Sequence, residues 1–377
     1  MSSSFDRLCR TATALLLAFV LAACASGDKR PQPADLGPNA PLFGVRLAWS
    51  AKLGEIAFPL DVRVAGGNVG VASSDGTVAV FDAASGREQW RRSAGGALAA
   101  GVGGDGQTWA VVTRTNEVVA LQAGRELWRQ QLPALAYTAP LVAGGRVFVL
   151  AADRSVTAFD GASGRRLWNQ QRPGEPLVLR QPGVLLPVGD TLLAGLSGRL
   201  VGLNPGNGAV RWEVPIATPR GTNDVERLVD LVGRVARQGD TVCARAFQAA
   251  LGCVDATRGS VLWSRPANGY LGIHGDDELL FGAEADGTVI AWRRRDGERV
   301  WSTDRLKYRS LTAPLALGRS VVFGDGSGLV HLLARTDGSP LNRLATDGTP
   351  VVAPPVLAAD TMVVVTRGGG IFGFRPE

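Results

Sequence analysis

One motif recurs along the chain and limits the folds that the chain can adopt. In its clear copies, such as DGTVAVFDAASGREQW and DRSVTAFDGASGRRLW, a strand-like hairpin leads to an Asp, then a Gly, and a Trp lies four residues after that Gly. Six copies end at a Trp and a seventh has an Asn in its place: Trp90, Trp128, Trp168, Trp212, Trp263, Trp301 and Asn342. A motif that returns at a regular spacing indicates a repeat architecture.

The spacing of the motif predicts what each repeat is. Counted from Trp49, the series advances in steps of 38 to 51 residues, the length of a four-stranded propeller blade. Within residues 138–171 the pattern predicts an inner strand TAPLVA, a second strand RVFVLAA, a third strand SVTAFD and an outer strand RRLWNQ. Alternating apolar and polar residues favour strands, and the intervening glycines disfavour helices. The recurrent Trp is expected to fill the wedge between neighbouring blades.

The two ends of the chain complement each other. The segment RLAWSA around Trp49 is a lone outer strand, whereas the last blade stops after its third strand, GGIFGF. The N-terminal strand is therefore expected to complete the last blade, which closes the ring and removes an open sheet edge. The sequence predicts an all-β fold, an eight-bladed β-propeller of four-stranded antiparallel blades over residues 44–377.

The N-terminus carries an export signal. Arg7 and Arg10 precede the apolar run ALLLAFVLAA, which is too short to span a bilayer, and the run ends at LAAC, a bacterial lipobox. We expect residues 1–23 to be a lipoprotein signal peptide, Cys24 to carry the lipid, and residues 24–43 to be a flexible tether. The alternative is an ordinary secretory signal with an incidental cysteine. Ala25, rather than an Asp, favours the outer membrane, with the propeller facing the periplasm.

Two cysteines remain in the propeller. Cys243 and Cys253 lie in strand-like runs joined by a short turn, so they are expected on facing strands. A disulfide is plausible in an oxidising periplasm. Two small buried thiols are the alternative, and the sequence leaves the choice open.

Residues suited to catalysis or metal binding are scarce. The chain has two histidines, His274 and His331, neither with Cys or acidic partners at ligand spacing. The string GVGGDG at residues 101–106 precedes a strand-like run rather than a helix, so it is expected to be a turn. The net charge of +6 is spread along the chain apart from residues 293–295, which argues against nucleic acid. Inner strands rich in Ala, Leu, Val and Pro predict an apolar channel without convergent polar groups, which gives little support to a ligand site there.

Repeat, blade number and lipobox together resemble the quinoprotein-type propellers and, over the whole chain, the BamB family of lipoproteins. The resemblance implies a scaffold without enzymatic activity or cofactor in the outer-membrane β-barrel assembly (BAM) complex. It would bind the periplasmic POTRA domains of BamA and assist folding and insertion of β-barrel proteins. A PQQ-type quinoprotein dehydrogenase and a small-ligand-binding lipoprotein are the alternatives. The chain lacks the adjacent cysteine pair and the Glu, Asn and Asp cluster of the dehydrogenases.

Two segments carry the finer part of the resemblance. PLVLRQP and GTNDVERLVDLVG match the family's BamA-contacting elements, and the matching residues are Leu177, Leu179, Arg180, Arg227, Leu228 and Asp230. Val232 departs from the pattern, which has an acid there. Both segments connect an outer strand to the next inner strand on adjacent blades, so they should emerge side by side. Alternatively, the leucines fold back onto the blade edge. Unfolded outer-membrane proteins are a further expected partner, through strand addition.

Overall fold

Thirty-two β-strands and no helix make up the part of the chain that the computed structural model describes, residues 31–174 and 177–377. Accordingly, no helix there is long and apolar enough to cross a membrane. The predicted signal peptide, residues 1–23, and the predicted lipid site, Cys24, lie outside the described residues. The strands form eight four-stranded sheets within the unit Ala34–Glu377.

In each of the first four blades the chain runs from the inner to the outer strand. Blade 1 has β2 (Arg63–Ala65), β3 (Asn68–Ala72), β4 (Thr77–Asp82) and β5 (Glu88–Ser93); blade 2 has β6 (Gly103–Gly104), β7 (Thr108–Val112), β8 (Glu117–Gln122) and β9 (Arg125–Gln131). Blade 3 has β10 (Leu141–Ala143), β11 (Arg146–Leu150), β12 (Ser155–Asp160) and β13 (Arg166–Gln171); blade 4 has β14 (Leu185–Val188), β15 (Thr191–Leu196), β16 (Arg199–Leu203) and β17 (Val210–Pro215).

The other four blades follow the same order. Blade 5 has β18 (Leu231–Gln238), β19 (Thr241–Ala246), β20 (Ala250–Asp255) and β21 (Ser260–Pro266); blade 6 has β22 (His274–Gly275), β23 (Leu279–Ala283), β24 (Val289–Arg293) and β25 (Arg299–Thr303). Blade 7 has β26 (Leu315–Leu317), β27 (Ser320–Gly324), β28 (Leu329–Ala334) and β29 (Pro340–Ala345); blade 8 has β30 (Val356–Ala358), β31 (Thr361–Val365), β32 (Gly370–Pro376) and β1 (Val45–Lys52).

Blade 8 closes the ring. β1 pairs antiparallel with β32, from Val45 opposite Pro376 to Lys52 opposite Gly370, and the inner strands β2 and β30 are in contact. The predicted eight-bladed fold and its closure by the N-terminal strand are therefore confirmed. One predicted turn is wrong in part: residues 101–106 include the inner strand β6. Glycine suits β6 because a Cβ on Gly104 would lie 2.4 Å from the Trp109 ring.

The recurrent Trp and Gly of the motif contact each other across the blades. Trp128 of blade 2 donates its indole N–H to Gly161 O of blade 3 at 2.8 Å. Its ring lies under Gly164, which has a φ of 71° and where a Cβ would meet the ring at 2.6 Å. Thus the Gly of one copy accommodates the Trp of the preceding copy. The same indole bond joins Trp49 to Ala83, Trp168 to Pro205, Trp263 to Arg294 and Trp301 to Arg335.

Asn342 departs from the motif because its neighbour is built differently. In blade 8 the third strand β32 and the outer strand β1 come from opposite ends of the chain. No hairpin turn therefore joins them where a Trp would pack. Asn342 instead donates from Nδ2 to Phe43 O at 3.0 Å and accepts from Asn39 Nδ2 at 3.3 Å. The exception therefore marks the closure of the ring.

Residues 34–43, here called the N-terminal strap, correct the predicted tether. Backbone N–H groups of Ala34 and Leu42 donate to the carbonyls of Lys307 and Leu341 at 2.9 and 2.8 Å. Arg343 Nη2 donates to Gly37 O at 3.0 Å. The prediction of a flexible tether over residues 24–43 is wrong for this part, which is fixed to blade 7. The polar, Pro-rich composition of this segment is typical of a linker. Its hydrogen bonds to blade 7, which is far away in sequence, leave no periodic pattern from which the docking could be predicted.

A buried charge cluster lies where the strap begins. Asp325 is fully buried and accepts from Arg309 Nε at 2.8 Å and from the backbone N–H of Leu329 at 2.9 Å, and it bonds His331 Nε2 at 2.9 Å. Burial alone would raise the pKa of Asp325, but these hydrogen bonds outweigh it and lower the pKa to about 2. Arg309 also donates to Ala34 O at 3.0 Å. The cluster therefore couples blade 7 to the strap.

Asp325→Asn is expected to lower the free energy of unfolding at pH 7 by about 2–3 kcal/mol, since it leaves Arg309 without its counter-charge. The depressed pKa of Asp325 stabilises the native state above the unfolded pKa near 4 and ceases to do so as pH falls toward 2. Urea unfolding at several pH values should show the difference between wild type and variant shrinking over that interval. Asp277→Asn, at an exposed position, serves as control. A difference that is constant with pH would contradict this account.

Candidate partner-binding site

Two connections between adjacent blades form the candidate site. Contact loop 1 (residues 172–184) links β13 to β14, and contact loop 2 (residues 216–230) links β17 to β18. Both run from an outer strand to the next inner strand, so they emerge on the same face of the ring, as the sequence predicted. The turn between β11 and β12 of blade 3 emerges on this face as well.

Asp230 joins the two loops. Its Oδ1 lies 3.1 Å from Arg154 Nη1, and its Oδ2 accepts the backbone N–H of Leu179 at 3.0 Å. Arg154 Nη2 in turn donates to Leu177 O at 3.1 Å. The Arg154 and Asp230 side chains are only 7% and 16% exposed. The Asp230 carboxylate, predicted as a partner contact, thus holds contact loop 1 against contact loop 2.

Arg154 belongs to the candidate site but was not among the residues predicted from the sequence. It occupies the second position of a DRSV turn where other blades have DGTV, and it has a φ of 63°, like Gly76 and Gly287 at 98° and 87°. A non-glycine residue in this region costs about 1 kcal/mol or more, and such strain often accompanies function. The signal was present in the sequence, because an Arg replaces the Gly that the turn favours.

Contact loop 1 presents apolar and cationic groups to solvent. Leu177 is 38% exposed, and Arg180 is exposed with its guanidinium carbon 5.6 Å from the centroid of the Tyr137 ring. Leu179 is half-buried and lines a small cavity of about 50 Å³ beside Arg154. Leu177 and Arg180 thus lie outward, while Leu179 contributes to the loop's own packing.

Contact loop 2 presents a different residue from those predicted. Arg227 and Leu228 are half-buried, whereas Val225 at the tip is 72% exposed. The tip is a tight turn: Asn223 Oδ1 accepts the N–H of Glu226 at 2.9 Å, and Glu226 Oε2 accepts the N–H of Thr222 at 2.8 Å. The bond from the Thr222 N–H helps to lower the pKa of Glu226, so the turn stays capped at neutral pH.

The blade that follows contact loop 2 contains the two cysteines. Cys243 on β19 lies directly opposite Cys253 on β20, and the structure joins their Sγ atoms in a disulfide. Both residues are fully buried. A bond between strands of one hairpin closes a short loop and restricts the unfolded chain.

Replacing Cys243 and Cys253 together by Ala is expected to lower the free energy of unfolding by about 2–3 kcal/mol, from loop-closure entropy over a sequence separation of 10. Urea denaturation of wild type and variant under oxidising conditions measures the loss. As a control, dithiothreitol should leave the native wild type unchanged and act only after unfolding, because both sulfurs are buried. Equal stability of the two proteins, or free thiols in protein from the periplasm, would contradict the bond.

The histidines serve packing in the described structure. His274 Nδ1 accepts the backbone N–H of Ala316 at 3.0 Å. Burial and the charges of Arg234 and Arg294 lower its pKa to about 3, so the imidazole is neutral. His331 belongs to the Asp325 cluster. Over residues 31–174 and 177–377, no group of three His, Cys, Asp or Glu side chains could hold a metal ion.

Comparison with known proteins decides the family. A family profile described as outer membrane protein assembly factor BamB matches residues 74–303. The outer membrane protein assembly factor BamB of Burkholderia pseudomallei is 38% identical over 363 residues, covering 95% of each chain. This chain belongs to the BamB family of outer membrane protein assembly factors.

Solved structures agree with the fold of a BamB-family propeller. The crystal structure of BamB from Moraxella catarrhalis is similar with a TM-score of 0.81 at 23% identity, covering 88% of this chain and 100% of that one. A quinohemoprotein alcohol dehydrogenase from Comamonas testosteroni gives a TM-score of 0.68 at 15% identity, covering 88% of this chain and 78% of that one. At these identities the likeness shows the shared propeller alone.

Proposed function

We infer that this chain is a non-enzymatic scaffold that binds the POTRA domains of BamA through contact loops 1 and 2. In this proposal it is anchored in the outer membrane by lipid on Cys24, with the propeller in the periplasm. The observation that carries the proposal is the bridging of both loops by Asp230 and Arg154. Bridged loops form one pre-organised surface, so binding need not order them.

The chemistry of this surface suits a protein partner. Leu177 and Val225 offer apolar contacts, and Arg180 offers a charge already positioned over an aromatic ring. Arginine is enriched among the residues that dominate binding energy in interfaces, and the apolar side chains beside it can lose water on binding. The relatives' name, outer membrane protein assembly factor, supports a role in that machinery.

Binding of the purified POTRA domains to the propeller, measured by isothermal titration calorimetry, tests the proposal. Leu177→Ala combined with Arg180→Ala is expected to weaken binding at least about 30-fold, the effect of losing about 2 kcal/mol of interface contacts. Leu262→Ala, an equally apolar change on the outer strand β21, should leave binding unchanged. Circular dichroism checks that each variant is folded. Failure of the folded wild type to bind would overturn the proposal.

Unfolded outer-membrane proteins are a second proposed partner. Each outer strand leaves one unpaired edge, and β21 exposes apolar residues there, with Leu262 52% exposed. An extended peptide can add to such an edge through backbone hydrogen bonds. Crosslinks from position 262 to an unfolded porin would support this role, whereas crosslinks to BamA alone would contradict it.

A further inference from the structure

The mouth of the central channel contains charged side chains that the sequence did not lead us to expect. A cavity of about 360 Å³, open to solvent on one side, is lined by segments of six blades. Asp61 and Arg63 of blade 1 line it together with Arg234 of blade 5. The expectation of an apolar channel without convergent polar groups is therefore wrong. Arg234 is far from Asp61 and Arg63 in sequence, and the ring brings it to the same cavity.

The two arginines are held in place. Arg63 Nε donates to Gly104 O at 2.6 Å, and Arg234 Nη1 donates to Pro355 O at 2.9 Å. Within the described residues, each of these two bonds occupies one of the five N–H donors of its guanidinium. Burial lowers the pKa of Arg234 to about 10, so it remains charged at neutral pH. Both groups are thus positioned cations with further donors.

Asp61 lacks a hydrogen-bond donor. Asp61 is half-buried and lines the cavity, and within residues 31–174 and 177–377 it makes no hydrogen bond and no ion pair within 4.0 Å. Burial raises the pKa of Asp61 to about 6, although the charges of Arg234 and Arg63 act in the opposite direction. Because no donor of the described chain reaches this carboxylate, it can accept a hydrogen bond from a ligand in the cavity.

We propose that the channel mouth binds a small zwitterion of amino-acid or dipeptide size. Its carboxylate would bind Arg63 and Arg234, and its ammonium group would bind Asp61. The cavity volume lies within the range of small-molecule sites. Two guanidiniums and one carboxylate leave a net positive charge, which disfavours a simple cation, and a simple anion would leave Asp61 without a donor. The cavity shares Gly183 and Val184 with contact loop 1, but ligand binding is measured without POTRA domains, so either proposal can fail alone.

Three matched probes test the proposal with the full mature chain in detergent micelles. Glycylglycine carries both charges, N-acetylglycylglycine lacks the ammonium group and glycylglycine amide lacks the carboxylate. Saturation-transfer NMR titrations should show glycylglycine binding at least about tenfold more tightly than either single-charge probe, since a charge-assisted hydrogen bond is worth about that factor or more. Equal affinity of all three, or no binding of glycylglycine, would overturn the proposal.

Asp61→Asn distinguishes the role of the carboxylate. The variant should lose at least about tenfold in affinity for glycylglycine while its affinity for N-acetylglycylglycine is unchanged or improved. Asp277→Asn, on the opposite face and exposed, is the matched control and should bind like wild type. If Asp61→Asn binds glycylglycine as wild type does, Asp61 does not hold the ammonium group and the proposal fails. If the variant unfolds, the three probes on wild type still decide.

Discussion

Asp230→Ala is expected to reduce POTRA binding at least about 30-fold while the propeller stays folded. The carboxylate accepts from Arg154 and from the Leu179 N–H, so its removal frees contact loop 1 from contact loop 2. It also breaks the buried ion pair between Asp230 and Arg154, which costs about 3 kcal/mol locally. Isothermal titration calorimetry against the POTRA domains measures the first effect, and thermal unfolding measures the second.

Asp224→Ala is the matched control, because Asp224 lies in the same loop and is exposed. It should bind POTRA domains like wild type. Arg154→Gly makes the test sharper, since it restores the Gly that the same turn has in other blades and relieves a φ of 63°. We expect it to be well folded and still to weaken binding, because only the bond from the Leu179 N–H to Asp230 then joins the two loops. Full binding by Arg154→Gly would show that the Arg154 part of the bridge is not required.

Trp128→Ala is expected to lower the free energy of unfolding by about 3–5 kcal/mol, the largest stability effect that we predict. Trp128 is 8% exposed, packs under Gly164 and donates to Gly161 O in the next blade. Its loss opens a cavity between blades 2 and 3 and leaves a carbonyl without its donor. Urea denaturation measures the change. Leu127→Ala, at the adjacent position that is 39% exposed, should cost less than about 1 kcal/mol.

Asn342→Trp tests the same contact in reverse. If the motif Trp were stabilising wherever it stood, the substitution would raise stability. We expect a loss of about 1–3 kcal/mol, because no Gly turn of blade 8 receives the ring and the bonds from Asn342 to Asn39 and Phe43 disappear. Increased stability of Asn342→Trp would contradict our explanation of the exception.

The fold could be predicted because most blades repeat the same local sequence motif. Each motif Trp packs under a Gly turn of the following blade, as Trp128 packs under Gly164. This contact requires a Trp and a Gly at a regular spacing, and that spacing is visible in the sequence. The strap could not be predicted. Its docking depends on single contacts such as that from Arg343 to Gly37 O, which join distant parts of the chain without any pattern.

The candidate site was predicted only in outline. The location of both loops followed from blade order, and Leu177 and Arg180 lie outward as expected. Asp230 resembled a contact residue, but the structure turns its carboxylate toward Arg154. Exposure at a loop tip depends on local capping, which is why Val225 was not singled out. Side-chain direction within a loop is set by tertiary contacts that the sequence pattern does not contain.

Site-specific photo-crosslinking in living cells tests the central claim most directly. A photoreactive amino acid at Leu177 or Val225 samples the face of the contact loops, and one at Arg258, in the turn between β20 and β21, samples the opposite face. We predict crosslinks to BamA from positions 177 and 225 and none from position 258. Crosslinks to BamA only from position 258, or from none of the three in a correctly folded protein, would contradict the account.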